Sequence, residues 1–232
     1  MSPLVGSVAH IGLGEAIDRL REQGVRVYKK RYSTCSIVDY LLGIQPWELA
    51  LKYQKFHEQH DFFESVCGGC RNHHTQVEGL ARHTREMIGI CLDLFDLYRD
   101  DLDQVTQTDI IIGCYLHDFA KIWTYQFLSP ADLNSQRYPG DQFFTYREGQ
   151  FRYVTPEVRT LLELAAEGIV PTQKQAGAML FAEGGYSTSN FGFGQCTETA
   201  KTGLLHNPLA VLVHMADIYS AGILGKGQGG DE

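Results

Sequence analysis

Long apolar runs are missing from this chain of 232 residues. The longest, around residues 110–116, falls far short of the roughly 20 residues that a membrane-spanning helix needs. The opening segment, MSPLVGSVAHIGLGE, has neither the basic start nor the continuous apolar stretch of a secretory signal. Positive charge is scarce as well: 20 Lys and Arg stand against 28 Asp and Glu, for a formal net charge of −8. Such a chain lacks the broad basic footprint through which long nucleic acids bind by counterion release. The six cysteines, Cys35, Cys67, Cys70, Cys91, Cys114 and Cys196, are too sparse for a disulfide scaffold. Reduced and mostly buried thiols are expected, above all at Cys91 and Cys114, which sit inside apolar helical patterns. Membrane insertion, secretion and non-specific polyanion binding are disfavoured, and a cytoplasmic location is expected.

What is present is the composition of a globular protein, 44% hydrophobic and 21% charged in 26.1 kDa. A chain of this size can bury roughly 70–75% of its unfolded surface without staples. Helical stretches over residues 14–23, 36–42 and 46–60 suggest an N-terminal extension, residues 1–60, wrapped onto a main domain over 61–224. The glycine-rich end, residues 225–232, reads as a frayed tail. Between residues 76 and 98 apolar side chains recur at helical spacing. A second helix, capped by Thr108 or Asp109, is expected to run through IIIGCYLHDFAKIW. It is apolar nearly all round and so belongs at the centre of the fold. Two aromatic, alternating segments around REGQ, within residues 142–154, predict a β-hairpin. Helical pattern returns over 157–166 and 173–183, each followed by glycine. A last helix opens at Asn207-Pro208. The fold class is mainly α, a helical bundle with a small β-hairpin insertion. Cys67-Gly-Gly-Cys70 has chelating or redox spacing, but no second pair accompanies it, and it reads as a glycine turn.

The chemistry-bearing residues are His117 and Asp118. A carboxylate beside an imidazole within an apolar helix is costly unless something compensates it. A divalent cation compensates both, because each is a good ligand when deprotonated. Adjacent helical residues diverge by about 100°, so the pair can converge on one ion only at the edge of a cleft. His83, within the first long helix, and Asp217, inside the last apolar helix, are the candidates to complete an N₂O₂ set from three helices.

The flanking residues EGLARHT, CYLHDFAK and VLVHMADIYSA resemble the HD superfamily of metal-dependent phosphohydrolases, whose signature is H…HD…D. The resemblance spans roughly residues 60–222. It implies an HD-domain helical bundle with His83, His117, Asp118 and Asp217 as metal ligands, and Lys121 at the lysine of the HDxxK pattern. Asn72-His73-His74 ahead of His83, with PLAVLVHMAD, is similar to the bacterial 3′-to-5′ exoribonuclease branch and to phage-encoded HD proteins, which implies a host cytoplasm. The histidines those relatives carry between the doublet and the last aspartate are absent here, where the matching stretch surrounds Glu183. That departure favours the single-metal branch, which includes deoxynucleotide triphosphohydrolases and 5′-nucleotidases.

The resemblance implies one divalent ion (Zn²⁺, Mn²⁺, Co²⁺, Fe²⁺ or Ni²⁺), with Glu183 a candidate to orient water or help hold a weak second ion such as Mg²⁺ or Mn²⁺. Bound to a phosphoryl oxygen and a water, such an ion promotes attack on phosphorus. Lys121 is the first candidate to stabilise the developing charge. His73 and His74 follow, as substrate-binding phosphate donors or a leaving-group acid. His214 reads as a packed or supporting histidine, and His10, His57, His60 and His206 are given no role. The aromatic segment 143–153 and the loop 186–195 either stack a base or merely cover the core. The expected substrate is a small nucleotide, for instance a dNTP such as dATP, ahead of long nucleic acid. The alternatives are a 3′-to-5′ exonuclease or cyclic-nucleotide phosphodiesterase, and a non-catalytic nucleotide-binding scaffold. Self-association into a homo-oligomer is compatible with either.

Overall fold

The helices starting at Ile37, Gln107, Pro156, Gln173 and Pro208 each begin where a side chain takes up a backbone N–H group that a first turn leaves unpaired, while those starting at Trp47 and Gly79 have no such side-chain cap. The computed structural model describes residues 35–60, 63–64, 66–69, 73–75, 77–133, 144–147, 154–182 and 206–224. The expected helix over 14–23, the second half of the expected hairpin at 151–153, Cys70, Glu183, Cys196, the loop 186–202 and the tail 225–232 lie outside the described residues. The described chain is mainly helical, with one two-stranded antiparallel sheet. In order it runs α1 (Ile37–Leu41), α2 (Trp47–Glu58), α3 (Gly79–Leu97), α4 (Gln107–His117), α5 (Lys121–Thr124), β1 (Tyr125–Phe127), α6 (Pro130–Leu133), β2 (Phe144–Tyr146), α7 (Pro156–Ala166), α8 (Gln173–Phe181) and α9 (Pro208–Tyr219). A wider helical turn over Ser220–Leu224 continues α9. Among the described residues no helix is long and apolar enough to cross a membrane.

Helix α4 is the central element, with every residue from Asp109 to Leu116 buried. Helices α3, α8 and α9 pack around it. Ile37, Leu41, Ile44, Tyr53 and Phe56 from the α1–α2 region are buried in the same core. Thiols tie the three inner helices together: Cys114 Sγ donates to Cys91 Sγ, which donates to the Leu212 carbonyl, both at 3.3 Å. Burial pushes the Cys114 thiol well above its ordinary pKa, so it stays protonated and structural. Cys91 and Cys114 are free and buried, as their apolar setting predicts.

Two sequence expectations are corrected. The cap of α4 is Thr106 rather than Thr108 or Asp109. Thr106 Oγ1 accepts from the Asp109 N–H, and Asp109 Oδ2 accepts from the Thr106 N–H at 3.0 Å. Such a reciprocal cap is worth about 1 kcal/mol. Thr108 instead accepts from the Gln45 N–H at 2.9 Å. Second, α4 does not run on to Trp123: it ends at His117, and Asp118 leaves the helical conformation (φ −114°, ψ 7°) before α5 begins. Burial continues straight through the break at Phe119, Ala120, Ile122 and Trp123, so the apolar pattern gave no sign of it. The strand at residues 144–146 of the expected hairpin forms, and its described partner is Tyr125–Phe127, while residues 151–153 lie outside the described residues. Cross-strand aromatic pairs Tyr125–Tyr146 and Phe127–Phe144 hold that pairing, with ring centroids 5.1 and 4.4 Å apart. The Asn207 cap is as expected, its side chain accepting from the Ala210 N–H.

Candidate metal centre

The break after His117 is what lets two sequence neighbours point at one place. Phe119 anchors the turn: its fully buried ring lies 5.0 Å from Phe56, 5.4 Å from Phe63 and Tyr115, and 5.5 Å from Trp123. With Phe119 driven inward, Asp118 faces the groove between α3 and α9. There His83 Nε2 lies 3.2 Å from His117 Nε2, 3.4 Å from Asp118 Oδ2 and 3.2 Å from Asp217 Oδ1. His117 Nε2 is also 3.2 Å from Asp118 Oδ2. The ligand atoms of His83, His117 and Asp217 all lie within 4.8 Å of one another, a spacing that can hold a metal ion. All four residues expected to form an N₂O₂ set are therefore brought together.

The proton inventory decides what such a cluster needs. His117 Nδ1 sits 2.8 Å from the Cys114 carbonyl, which only accepts, so Nδ1 carries a proton. Nε2 of the neutral ring then aims a lone pair at its neighbours. His83 Nδ1 is 2.9 Å from Ser220 Oγ, whose own proton goes to Glu86 Oε2 at 2.8 Å. Nδ1 of His83 must therefore be the donor, and its Nε2 also presents a lone pair inward. Two imidazole lone pairs and two carboxylates facing one another repel unless a positive charge sits among them. The donor set fits a divalent transition metal. Without one, a proton on His83 does the same work. Burial pushes its pKa down, but hydrogen bonds to Asp118 and Asp217 outweigh that and hold it above the ordinary value. Burial raises the carboxyl of Asp118, yet neighbouring His117 and the Lys121 ammonium hold it well below its usual range. Asp217 is likewise held low, the His83 hydrogen bond overcoming burial.

Exposure is graded across the cluster. The His83 side chain is 0% exposed, His117 3%, Asp118 12%, Lys121 21% and Asp217 25%. The base is sealed and the Lys121–Asp217 side is open to solvent. The Lys121 ammonium donates to Asp118 Oδ2 and to the Gly68 carbonyl. Gly68 belongs to a loop that lies against the start of α3. A Cβ on Gly68 would come within 2.8 Å of His74 Cβ, and one on Gly79 within 2.0 Å of the His74 carbonyl oxygen. Glycine at both positions is what admits this close approach. Cys67 is buried beside this loop, and Cys70, its partner in the CGGC segment, lies outside the described residues.

His74 is 3% exposed and has a left-handed backbone (φ 49°). Its Nε2 is 2.9 Å from Glu86 Oε2, and its Nδ1 is 2.9 Å from His73 Nδ1. Both its ring nitrogens are thus engaged inside the protein, so His74 sits behind the site rather than at its mouth. His73 is half-buried. Burial, then the charges of His83 and Lys121, push its pKa down to about 4, making it a neutral imidazole near pH 7. His214 hydrogen-bonds the Ala182 carbonyl through Nδ1, which agrees with a packing role.

Glu86 and Ser220 were missed by sequence reasoning. Glu86 is buried and accepts from Arg82 Nε at 3.0 Å as well as from His74 and Ser220. Burial raises its pKa, but the His74 and Arg82 hydrogen bonds hold it below the ordinary value, so it is a carboxylate. The readable signal was spacing: Glu86 lies one turn beyond His83, and Ser220 one turn beyond Asp217. Comparison with known proteins adds nothing to this geometry: no family model, curated protein or solved structure matches the chain.

Proposed function

We propose that the chain is a metal-dependent phosphohydrolase of the HD type acting on a small nucleotide, most simply a deoxynucleoside mono- or triphosphate. The observation that carries this reading is the convergence of four lone-pair donors, His83 Nε2, His117 Nε2, Asp118 Oδ2 and Asp217 Oδ1, with the outer nitrogen of each imidazole already committed. These four residues would hold one divalent ion. When bound, that ion supplies Lewis acidity toward a phosphoryl oxygen and lowers the pKa of water.

The chain's own groups supply the rest. Lys121 fixes the Asp118 carboxylate and brings positive charge to the open side of the cluster, where a phosphate would arrive. His73, neutral near pH 7, offers a ring nitrogen to accept a proton from water, while His74 holds it in place. The sealed base, formed by His83 and the buried face of α4, keeps bulk water from the inner side. The net charge of −8 favours a small nucleotide over a long strand.

The test is metal analysis followed by a substrate panel. Purified protein is expected to bind close to one equivalent of Mn²⁺, Zn²⁺, Co²⁺, Fe²⁺ or Ni²⁺. It should then release phosphate or triphosphate from dNTPs or dNMPs, and Asp118→Ala should not. Stepwise shortening of labelled oligonucleotides would turn the reading to an exonuclease. Activity surviving Asp118→Ala would remove the site, and metal binding without turnover of any substrate would leave a binding scaffold.

A further inference from the structure

Glu86 is a buried carboxylate at the meeting point of two hydrogen-bond chains that reach three histidines. One runs Glu86 Oε2, Ser220 Oγ, His83 Nδ1, with steps of 2.8 and 2.9 Å. The other runs Glu86 Oε2, His74 Nε2, His73 Nδ1 by way of His74 Nδ1, each contact 2.9 Å. Arg82 balances the remaining oxygen at 3.0 Å. A carboxylate only accepts, so every proton in both chains must point toward Glu86. Ser220 has one hydroxyl proton and spends it on Glu86, which leaves His83 Nδ1 to donate. His74 must donate from Nε2, which leaves its Nδ1 to accept from His73 Nδ1.

We propose that Glu86 is a positioning residue that sets the tautomers of His83, His74 and His73, and that Ser220 is its relay to His83. Through Ser220 it makes Nε2 the unprotonated nitrogen of His83, the one that faces His117, Asp118 and Asp217. Through His74 it leaves Nε2 of His73 as an acceptor. The inference deepens the metal-centre reading and rests on it for its consequence, but the direction of the protons is a property of the metal-free protein too. Outer hydrogen bonds of this kind fix ligand orientation and typically change metal affinity by about 10- to 100-fold when removed.

The experiment combines ¹⁵N side-chain NMR of the histidines with a Zn²⁺ affinity titration of the full chain. In wild-type protein, both Zn²⁺-loaded and metal-free at alkaline pH, His83 is expected as the Nδ1–H tautomer and His74 as the Nε2–H tautomer. Glu86→Gln offers an amide donor where only an acceptor belongs. It should shift the signals of His83 and His74 and weaken Zn²⁺ binding by about 10- to 100-fold. Ser220→Ala, a small change that guards against a folding defect, should shift His83 and weaken Zn²⁺ while leaving His73 and His74 as they were. Ser220→Thr, which keeps the hydroxyl, should restore both. An Nε2–H tautomer for His83 in wild-type protein, or unchanged His83 signals and Zn²⁺ affinity in both Glu86→Gln and Ser220→Ala, would overturn the proposal. Absence of Zn²⁺ binding by wild-type protein would instead strike the metal-centre reading, and the alkaline metal-free spectra would still decide the tautomers.

Discussion

Helix α4 carries a buried polar cluster at each end, and the two are balanced differently. At its start, Asp109 accepts from the Thr106 N–H and hydroxyl, from Lys174 Nζ at 2.9 Å and from Gln175 Nε2 at 2.9 Å. Both carboxylate oxygens there meet donors from the chain, and the cluster is complete as folded. At its end, His117 and Asp118 meet His83 and Asp217, and acceptors face acceptors. Lys121 brings one ammonium against two carboxylates. Burial alone therefore does not mark a candidate site; what sets this one apart is a polar cluster whose donors and acceptors do not add up without a metal ion or an added proton on His83.

The largest effect separating the two ends is expected from Asp118→Asn. It should reduce kcat/KM by about 10³-fold or more, equivalent to about 4 kcal/mol. It should also abolish the rise in melting temperature that a divalent ion gives wild-type protein, about 2.7 kcal/mol at one hundred times Kd. Asp109→Ala should do the reverse. It is expected to lower stability in urea by about 2 to 3 kcal/mol, through loss of the cap and of charge-assisted hydrogen bonds. Its affinity for the ion should stay unchanged in the same titration. A loss of ion binding in Asp109→Ala would mean that the two ends are not independent.

Asp109 at one end and His83 at the other should contribute opposite slopes with pH. Burial raises the pKa of Asp109, but the Lys174 and Thr106 hydrogen bonds hold it below its ordinary 3.8. The stability it contributes is full above that ordinary value and is lost as pH falls through the folded value. His83 in metal-free protein is held above its ordinary 6.5. Its contribution is full below 6.5 and is lost as pH rises through the folded value. Denaturant midpoints measured against pH should therefore fall on both flanks. Asp109→Asn should make the acidic flank shallower without removing it, because Asp118, Asp217 and Glu86 are held low as well, and a bound ion, by replacing the proton on His83, should flatten the alkaline flank. The smallest effect is expected from Lys174→Met, about 1 kcal/mol in the same denaturation assay, since that ammonium is one donor among several and partly exposed.

The same contrast explains what could be read from residues alone. Asn207-Pro208 and the turn glycine Gly168 (φ +68°) carried their meaning locally, and the ends of α7 and α9 fall where such signals put them. His83, His117, Asp118 and Asp217 were legible because charge inside apolar helices demands compensation. The break at Asp118 was not, because Phe119, Ile122 and Trp123 keep the burial pattern running through it. The pairing of residues 144–146 with 125–127 was not legible either: it spans a longer connection and is held by aromatic packing between the strands. Glu86 escaped because HTRE, read alone, resembles an ordinary solvated face. Only its burial against Ser220 and His74 sets it apart.

Ser220 and His83 are 137 positions apart along the chain, yet their side chains touch. Closing a loop of that length is entropically slow to achieve, so this contact belongs among the last formed during folding. A nascent chain released before α9 would lack both Asp217 and Ser220 and could grip an ion only weakly. Under the proposed metal centre, tight uptake of a divalent ion would then report that α9 has docked against α3.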